Sequence, residues 1–321
     1  MKSPKAQESS PRKTWKGKSI MQKDDNIMLN ARDTDIVIPV MGPTGVGKST
    51  FLNTVIGDTK IEDGNTSAPV GHGLNSHTQK IEHFAIRHPR DPERRLVFVD
   101  TPGFDDTYID DSEILRRIAV WLAKSYSDNM KLAGVVYLHE ISQPRMMGAP
   151  RRNLEMFREL CGDKAVRNVV LATTKWGDVT GEVGEKREQQ LRDKYWGHML
   201  KLESKMFRFH LEEHSAWNIV NHILNNEAVD ALLIQQELVE FQKIIPETKA
   251  GRALRATLIE LLASQEEVAV KLKQSSDAQG DERLRQSLEE TQTKIQTIIK
   301  QIRQLKVPLT RRILLFLSFK A

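Results

Sequence analysis

The 321-residue chain has one cysteine, Cys161, so it can form no internal disulfide. A lone thiol suits a reducing compartment, and a cytoplasmic location is expected. No apolar run approaches the roughly 20 residues of a membrane-spanning helix. The basic N-terminus lacks the apolar core of a signal peptide, so none is expected. Glycine (18) and proline (12) are too scarce for a collagen-like chain, and hydrophobic residues, at 39%, are too many for a wholly disordered one. His72, His83, His139, His210 and His214 stand at no metal-ligand spacing with cysteines or acids. A basic body is missing too. The formal charge is +5, yet residues 1–23 hold seven Lys or Arg against Glu8, which leaves the remainder close to neutral. No nucleic-acid partner is expected.

Residues 1–33 are polar and aperiodic and predict a disordered basic arm. Contact with anionic lipid or an acidic partner is the alternative to a plain soluble tail. Residues 34–226 alternate strand and helix. Ile36 to Met41 is a continuous apolar run that suits a strand buried on both faces, with Pro39 its misfit. A glycine-rich turn leads to a helix over 49–56, stopped by Gly57. No element is legible over 58–79. Residues 80–88 and 95–100 read as an antiparallel pair. Helices are then expected over about 112–122 (N-cap Ser112), 150–162, 184–202 and 216–224, and strands over 134–141, 167–174 and 206–210. The fold class is α/β, a mostly parallel sheet flanked by helices.

Beyond residue 226 the pattern changes. Leu254, Leu258, Leu261, Gln265, Val268 and Leu272 alternate in steps of four and three, and Leu284 to Leu305 continue the same seam. Residues 227–307 therefore predict a helical hairpin or coiled coil broken at 275–281, and a homodimer along it is one expectation. Residues 308–321 form an apolar-basic tail, too short to span a membrane, expected to dock on the domain or a partner.

Gly42-Pro43-Thr44-Gly45-Val46-Gly47-Lys48-Ser49-Thr50 fits the phosphate-binding pattern GxxxxGK[ST], between an apolar strand and an amphipathic helix. Glycines let backbone N–H groups turn inward around phosphate oxygens, and the helix points its positive end at the same anion. Lys48 is expected to bridge the β- and γ-phosphates and the Ser49 hydroxyl to ligate Mg²⁺. Asp100-Thr101-Pro102-Gly103 ends the strand 95–100. Asp100 there can hold the Mg²⁺ shell and the Gly103 N–H can face the γ-phosphate.

These motifs resemble the translation-factor-related class of P-loop GTPases. Within it, the strings VGHGLNSHT, VVYLHEIS, LATTKWGDVT, YWGHML and HSAW are similar to fungal G-domain proteins distantly related to septins and to immunity-associated (avirulence-induced) GTPases. The resemblance covers about residues 35–224. It implies GTP or GDP and Mg²⁺ as ligands. It makes Thr78 the threonine of the first switch (58–79), ligating Mg²⁺, and 104–111 the second switch. The family's base-reading pattern is Asn or Thr, Lys, any residue, Asp. Thr174 and Lys175 match it, but Asp178 falls one position late. Trp176 either stacks on the base or packs the loop. Ser215-Ala216 resembles the last guanine-contact loop.

The leading functional expectation is a guanine-nucleotide switch with slow GTP hydrolysis. A nucleotide-bound scaffold or septin-like assembly subunit, and an ATP-using P-loop enzyme, are the alternatives. Slow turnover is expected because the position that often carries a water-orienting glutamine holds Phe104. His77, with His72 behind it, or a partner joined across the nucleotide face, is the substitute. Cys161 reads as a small buried hydrophobe, and the pairs Asp105-Asp106 and Asp110-Asp111 as solvated loop charges.

Overall fold

The computed structural model describes residues 15, 20–22, 25, 28, 30–57, 80–105, 109–146, 148–226, 231–279 and 282–311. The expected first switch, with His72, His77 and Thr78, and the apolar segment 312–321 lie outside them.

The chain runs β1 (Ile36–Met41), α1 (Lys48–Ile56), β2 (Glu82–Arg87), β3 (Arg95–Asp100), α2 (Asp111–Ser127), β4 (Lys131–Leu132), β5 (Val135–Glu140), α3 (Ala149–Cys161), β6 (Val169–Thr174), α4 (Gly181–Gln190), α5 (Gly197–Lys201), β7 (Lys205–Arg208) and α6 (Glu213–Leu224). A single turn α7 (Leu233–Gln235) precedes two long helices, α8 (Lys249–Gln279) and α9 (Glu282–Gln304). The sheet order is β2-β3-β1-β5-β6-β7, with β4 paired to β1. Among the described strands only β2 is antiparallel to its neighbour.

Every central strand is apolar on both faces because each face has its own core. Val37, Met41, Val97, Val135 and Tyr137 face α2, α3 and the base of α8 and α9. Ile38, Val40, Phe98, Val136 and Leu138 face α1 and α6. The period of two along each strand divides the side chains between these cores. Pro39 fits the centre of the sheet for a local reason. The Val37 C=O accepts from the Ala133 N–H, so the same-side position two residues on faces the interval between β4 and β5. A residue without an N–H loses no ladder bond there.

Several expectations need correction. The arm is not wholly free: Trp15 is buried with its N–H on Ser127 Oγ at 3.1 Å, Met28 is buried, and Arg116 of α2 holds Asp25 at 2.8 Å and the Ile20 C=O. Apolar residues spaced through a basic segment found a groove on α2 that no periodicity announced. Ser112 is not the N-cap. Asp110 is, and the Ser112 hydroxyl instead donates to Gln304 Oε1 of α9 at 2.7 Å. The helix expected over 184–202 starts earlier and is interrupted by a π-turn at Leu191–Tyr195. Its extra residue, closed by Trp196 N–H to Leu191 C=O at 2.7 Å, turns the fully buried Trp196 toward His139 of β5.

The region after 226 is not helical throughout: short turns fill 233–247 before α8 begins. Buried Glu237 organises that start, accepting from Lys243 Nζ at 2.8 Å and from the Lys249 N–H at 3.0 Å. α8 continues to Gln279, well into the expected break at 275–281, and α9 begins at Glu282 just beyond it. The heptad seam is buried at the base, through Leu254, Leu258, Ile298 and Leu305, which join the core facing α2 and α3. Farther out it is open, and Val268 is 40% exposed. The seam serves docking at one end and helix pairing at the other. Among the described residues no helix is long and apolar enough to cross a membrane.

Candidate nucleotide site

All parallel strands end on one side of the sheet, and β1, which has β3 on one flank and β5 on the other, opens a crevice there. The segment 42–47 fills it. Gly42, Gly45 and Gly47 have φ of 144°, 79° and 93°, backbone that L side chains avoid. Added Cβ atoms at Gly45 and Gly47 would meet nothing within 4 Å, so these peptides border open space. Lys48 begins α1 and is buried. Its ammonium donates to the Gly42 C=O at 3.1 Å and the Pro43 C=O at 2.9 Å, which holds the charge inside the loop's own curve.

β3 supplies the facing wall. Ser49 Oγ donates to Asp100 Oδ2 at 2.6 Å, joining the two residues expected at Mg²⁺. Thr101 Oγ1 donates to the Val40 C=O at 2.9 Å and fastens the end of β3 to β1. Gly103 lies hard against Thr44. The Thr44 hydroxyl donates to the Gly103 C=O at 3.1 Å, and its N–H donates to the Phe104 C=O at 3.2 Å. A Cβ on Gly103 would sit 2.4 Å from the Thr44 nitrogen, so only glycine permits this approach. Phe104 turns its ring into the core facing α2 and so does not line the crevice.

Beyond Gly103 the chain passes to the hairpin. Asp111 accepts from the Asp105 N–H at 2.8 Å, and desolvation pushes its carboxyl pKa up to about 6. Asp110 takes weak contacts from Lys300 and Gln301 of α9, at 3.5 and 3.4 Å. The Asp110-Asp111 pair is therefore not a set of solvated loop charges: both acids are fixed by neighbours.

The base-side candidates gather less tightly. Thr174, ending β6, donates its hydroxyl to the Val46 C=O at 2.8 Å and so supports the phosphate loop from beneath. Lys175 has φ 57° and pairs with Glu140 at the end of β5. Trp176 packs the loop: its Nε1 donates to Thr173 Oγ1 at 3.0 Å, its ring covers Gly184, and the Arg208 guanidinium lies 4.3 Å from the ring centroid. Asp178 is exposed on a short 3₁₀ turn. Ser215 accepts from the His210 N–H at 3.1 Å and donates to the Glu212 C=O at 2.8 Å. Ala216, fully buried, uses its N–H in the first turn of α6, on the Glu212 C=O. These two residues shape the loop rather than present free donors.

Sequence reading missed the supports: Thr44 against Gly103, Glu140 under Lys175, and Arg208 on Trp176. Only Glu140 left a signal, since strand register places it opposite Thr174, beside Lys175.

The fold and the glycine-lysine loop at the end of β1 define a P-loop nucleotide-binding domain. Residues 32–146 match the Septin family model, a segment that holds the loop, β3 and the Asp100–Gly103 turn. Mouse guanylate-binding protein 5 is 32% identical over 78 residues, 24% of this chain and 12% of that protein. The small ribosomal subunit biogenesis GTPase RsgA of Streptococcus agalactiae is 39% identical over 85 residues, 26% of this chain and 27% of that protein. The matched segments thus span well under a third of these relatives. Among solved structures, Toc33 of Arabidopsis thaliana in complex with Mg²⁺ and GMPPNP aligns over 65% of this chain and 86% of its own, with 14% identity and a TM-score of 0.43.

Proposed function

We propose that this protein is a guanine-nucleotide-binding switch that hydrolyses GTP slowly with Mg²⁺. One observation carries the reading: the Gly42–Thr50 loop, the Ser49–Asp100 hydrogen bond and the Gly103–Thr44 approach meet at a single crevice. Backbone N–H groups of 44–49 and the Lys48 ammonium receive the β- and γ-phosphates. The hydroxyl and carboxylate oxygens of Ser49 and Asp100 are the hard donors that suit Mg²⁺, which usually keeps several waters and shares phosphate oxygens. Bound there, the ion neutralises phosphate charge. Lys48 leaves its loop carbonyls to stabilise charge on the transferred group, and Gly103 turns its N–H to the γ-phosphate. Thr78 and His77 remain the candidates for the second metal hydroxyl and for orienting water.

A buried Phe104 leaves the attacking water without a partner from that position. Turnover by a lone chain is therefore slow, well below the ~1–100 s⁻¹ of kinases. A second copy across the nucleotide face or along the hairpin raises it. The switch's output runs through Asp110 and Ser112 to Gln301 and Gln304 of α9, so a movement of Asp110 and Ser112 shifts the hairpin base. A cytoplasmic setting suits the buried, unpaired Cys161.

The test is a single-turnover hydrolysis course at several protein concentrations. A slow rate that rises with concentration and needs Mg²⁺ supports the proposal. Absence of hydrolysis at every concentration, with GTP still bound, returns the protein to the scaffold reading.

A further inference from the structure

Away from the nucleotide crevice, a cleft of about 680 Å³ opens where the base of the hairpin meets the turns before α8. Pro246, Leu305 and Val307 give it an apolar lining, and Phe241 stands there 64% exposed. The polar lining is basic. Lys243 is held by Glu237 and Arg311 by Glu247. Arg252, Arg255 and Lys306 have no ion pair among the described residues, and Arg255 Nε is sealed from water with no hydrogen-bond partner among them. A guanidinium held without a carboxylate partner beside an apolar cleft favours an anion there, which its other N–H groups can bond.

We propose that this cleft binds an amphiphilic anion, its chain against Phe241, Pro246 and Leu305 and its carboxylate or phosphate head against Arg255, Arg252 and Lys306. Three observations point the same way. The volume falls within the roughly 300–1,000 Å³ of small-molecule sites. Apolar and cationic surface are side by side, as an amphiphile requires. Guanidinium forks match carboxylate and phosphate oxygens alike. The inference is independent of the nucleotide site, since it uses none of its residues.

The experiment is calorimetric titration of the whole chain with dodecyl phosphate and with dodecanoate, below their micelle concentrations. Dodecyltrimethylammonium and inorganic phosphate are the controls. The expected result is saturable one-site binding of a dodecyl anion, and the tighter of the two identifies the head group. Neither control binds comparably. Arg255→Gln with Lys306→Gln weakens binding by about tenfold or more, as does Phe241→Ser at an exposed position, while melting temperature and GTP affinity stay unchanged. If the double variant melts early, Lys306→Glu and Phe241→Ser give the reading instead. Absent saturation, equal binding of the cationic amphiphile, or affinity unchanged in all variants overturns the proposal. Binding that emerges only in a chain ending at Arg311 also overturns it, since the cleft then belongs to residues 312–321.

Discussion

The two halves of the nucleotide crevice are built in different ways. The phosphate half comes from two short runs, 42–50 and 100–103, bonded to each other through Ser49–Asp100 and Thr44–Gly103. The base half draws on 174–178, 208–210 and 215–216, segments brought together by the β6–β7 pairing, the His210–Ser215 hydrogen bond and the packing of Trp176. Phosphate binding by backbone N–H groups needs glycines at fixed spacing, and such a constraint is visible in one dimension. Base recognition needs one side chain to arrive at one edge, and its position depends on the path of a loop. Affinity should therefore reside in the first half and discrimination, weaker and easier to alter, in the second.

Lys48→Ala should have the largest effect. Triphosphate binding is lost, while circular dichroism and melting stay near those of the parent, because the Lys48 ammonium bonds carbonyls of its own loop rather than joining distant elements of the core. Micromolar affinity in the folded variant would remove the phosphate assignment. Next comes a pair of glycines. Gly103→Ala pushes a methyl group into the Thr44 backbone and should cost about 1–3 kcal/mol in stability with a marked loss of triphosphate affinity. Gly177→Ala on the base side meets nothing within 4 Å and should leave both almost unchanged. Similar behaviour of the two variants would erase the distinction between the halves.

Asp111 tests the second switch by pH. Its pKa is raised to about 6 from 3.8, so the folded state holds a proton that the unfolded state has released between those values. This carboxyl therefore stabilises the fold less as pH rises through that window, by about 1–3 kcal/mol in all. Asp111→Asn should match the parent at pH 3.5 and exceed it at pH 7 in denaturant melts. His139 titrates in the opposite sense. Burial lowers its pKa to about 4, so its contribution is lost as pH falls below the usual histidine range. The Asp111→Asn difference must therefore be read against the parent at each pH. Thr174→Val removes the bond to the Val46 C=O and should cost about 1 kcal/mol of nucleotide affinity, a few-fold in dissociation constant. Asp178→Ala should leave phosphate affinity intact and reduce GTP-over-ATP preference by no more than a few-fold, since its carboxylate is exposed.

The order of strands and helices through 224 was legible because both faces of the sheet are covered. That coverage makes each strand a continuous apolar run, as in Val135 to Leu138. β4 was not legible, being two residues long. Nor was the docking of Trp15 and Met28, because a few anchors in a polar segment have no period. The heptad seam announced two helices but not that Leu254 and Leu258 belong to the domain core. A 4–3 pattern describes an apolar stripe and leaves its partner open. In the site, the glycine-lysine pattern and the Asp100–Gly103 turn were legible as one group, and the structure brings them to one crevice. Trp176 stayed ambiguous because Arg208 and Gly184, which hold it, lie far away in sequence.

The most direct measurement is a competition titration of labelled GTP by unlabelled GTP, GDP and ATP with Mg²⁺, on the whole chain and on Lys48→Ala. GTP and GDP are expected to displace the label, ATP to do so about tenfold less well, and Lys48→Ala to bind none of them. Equal displacement by ATP, or undiminished binding by Lys48→Ala, would contradict this expectation.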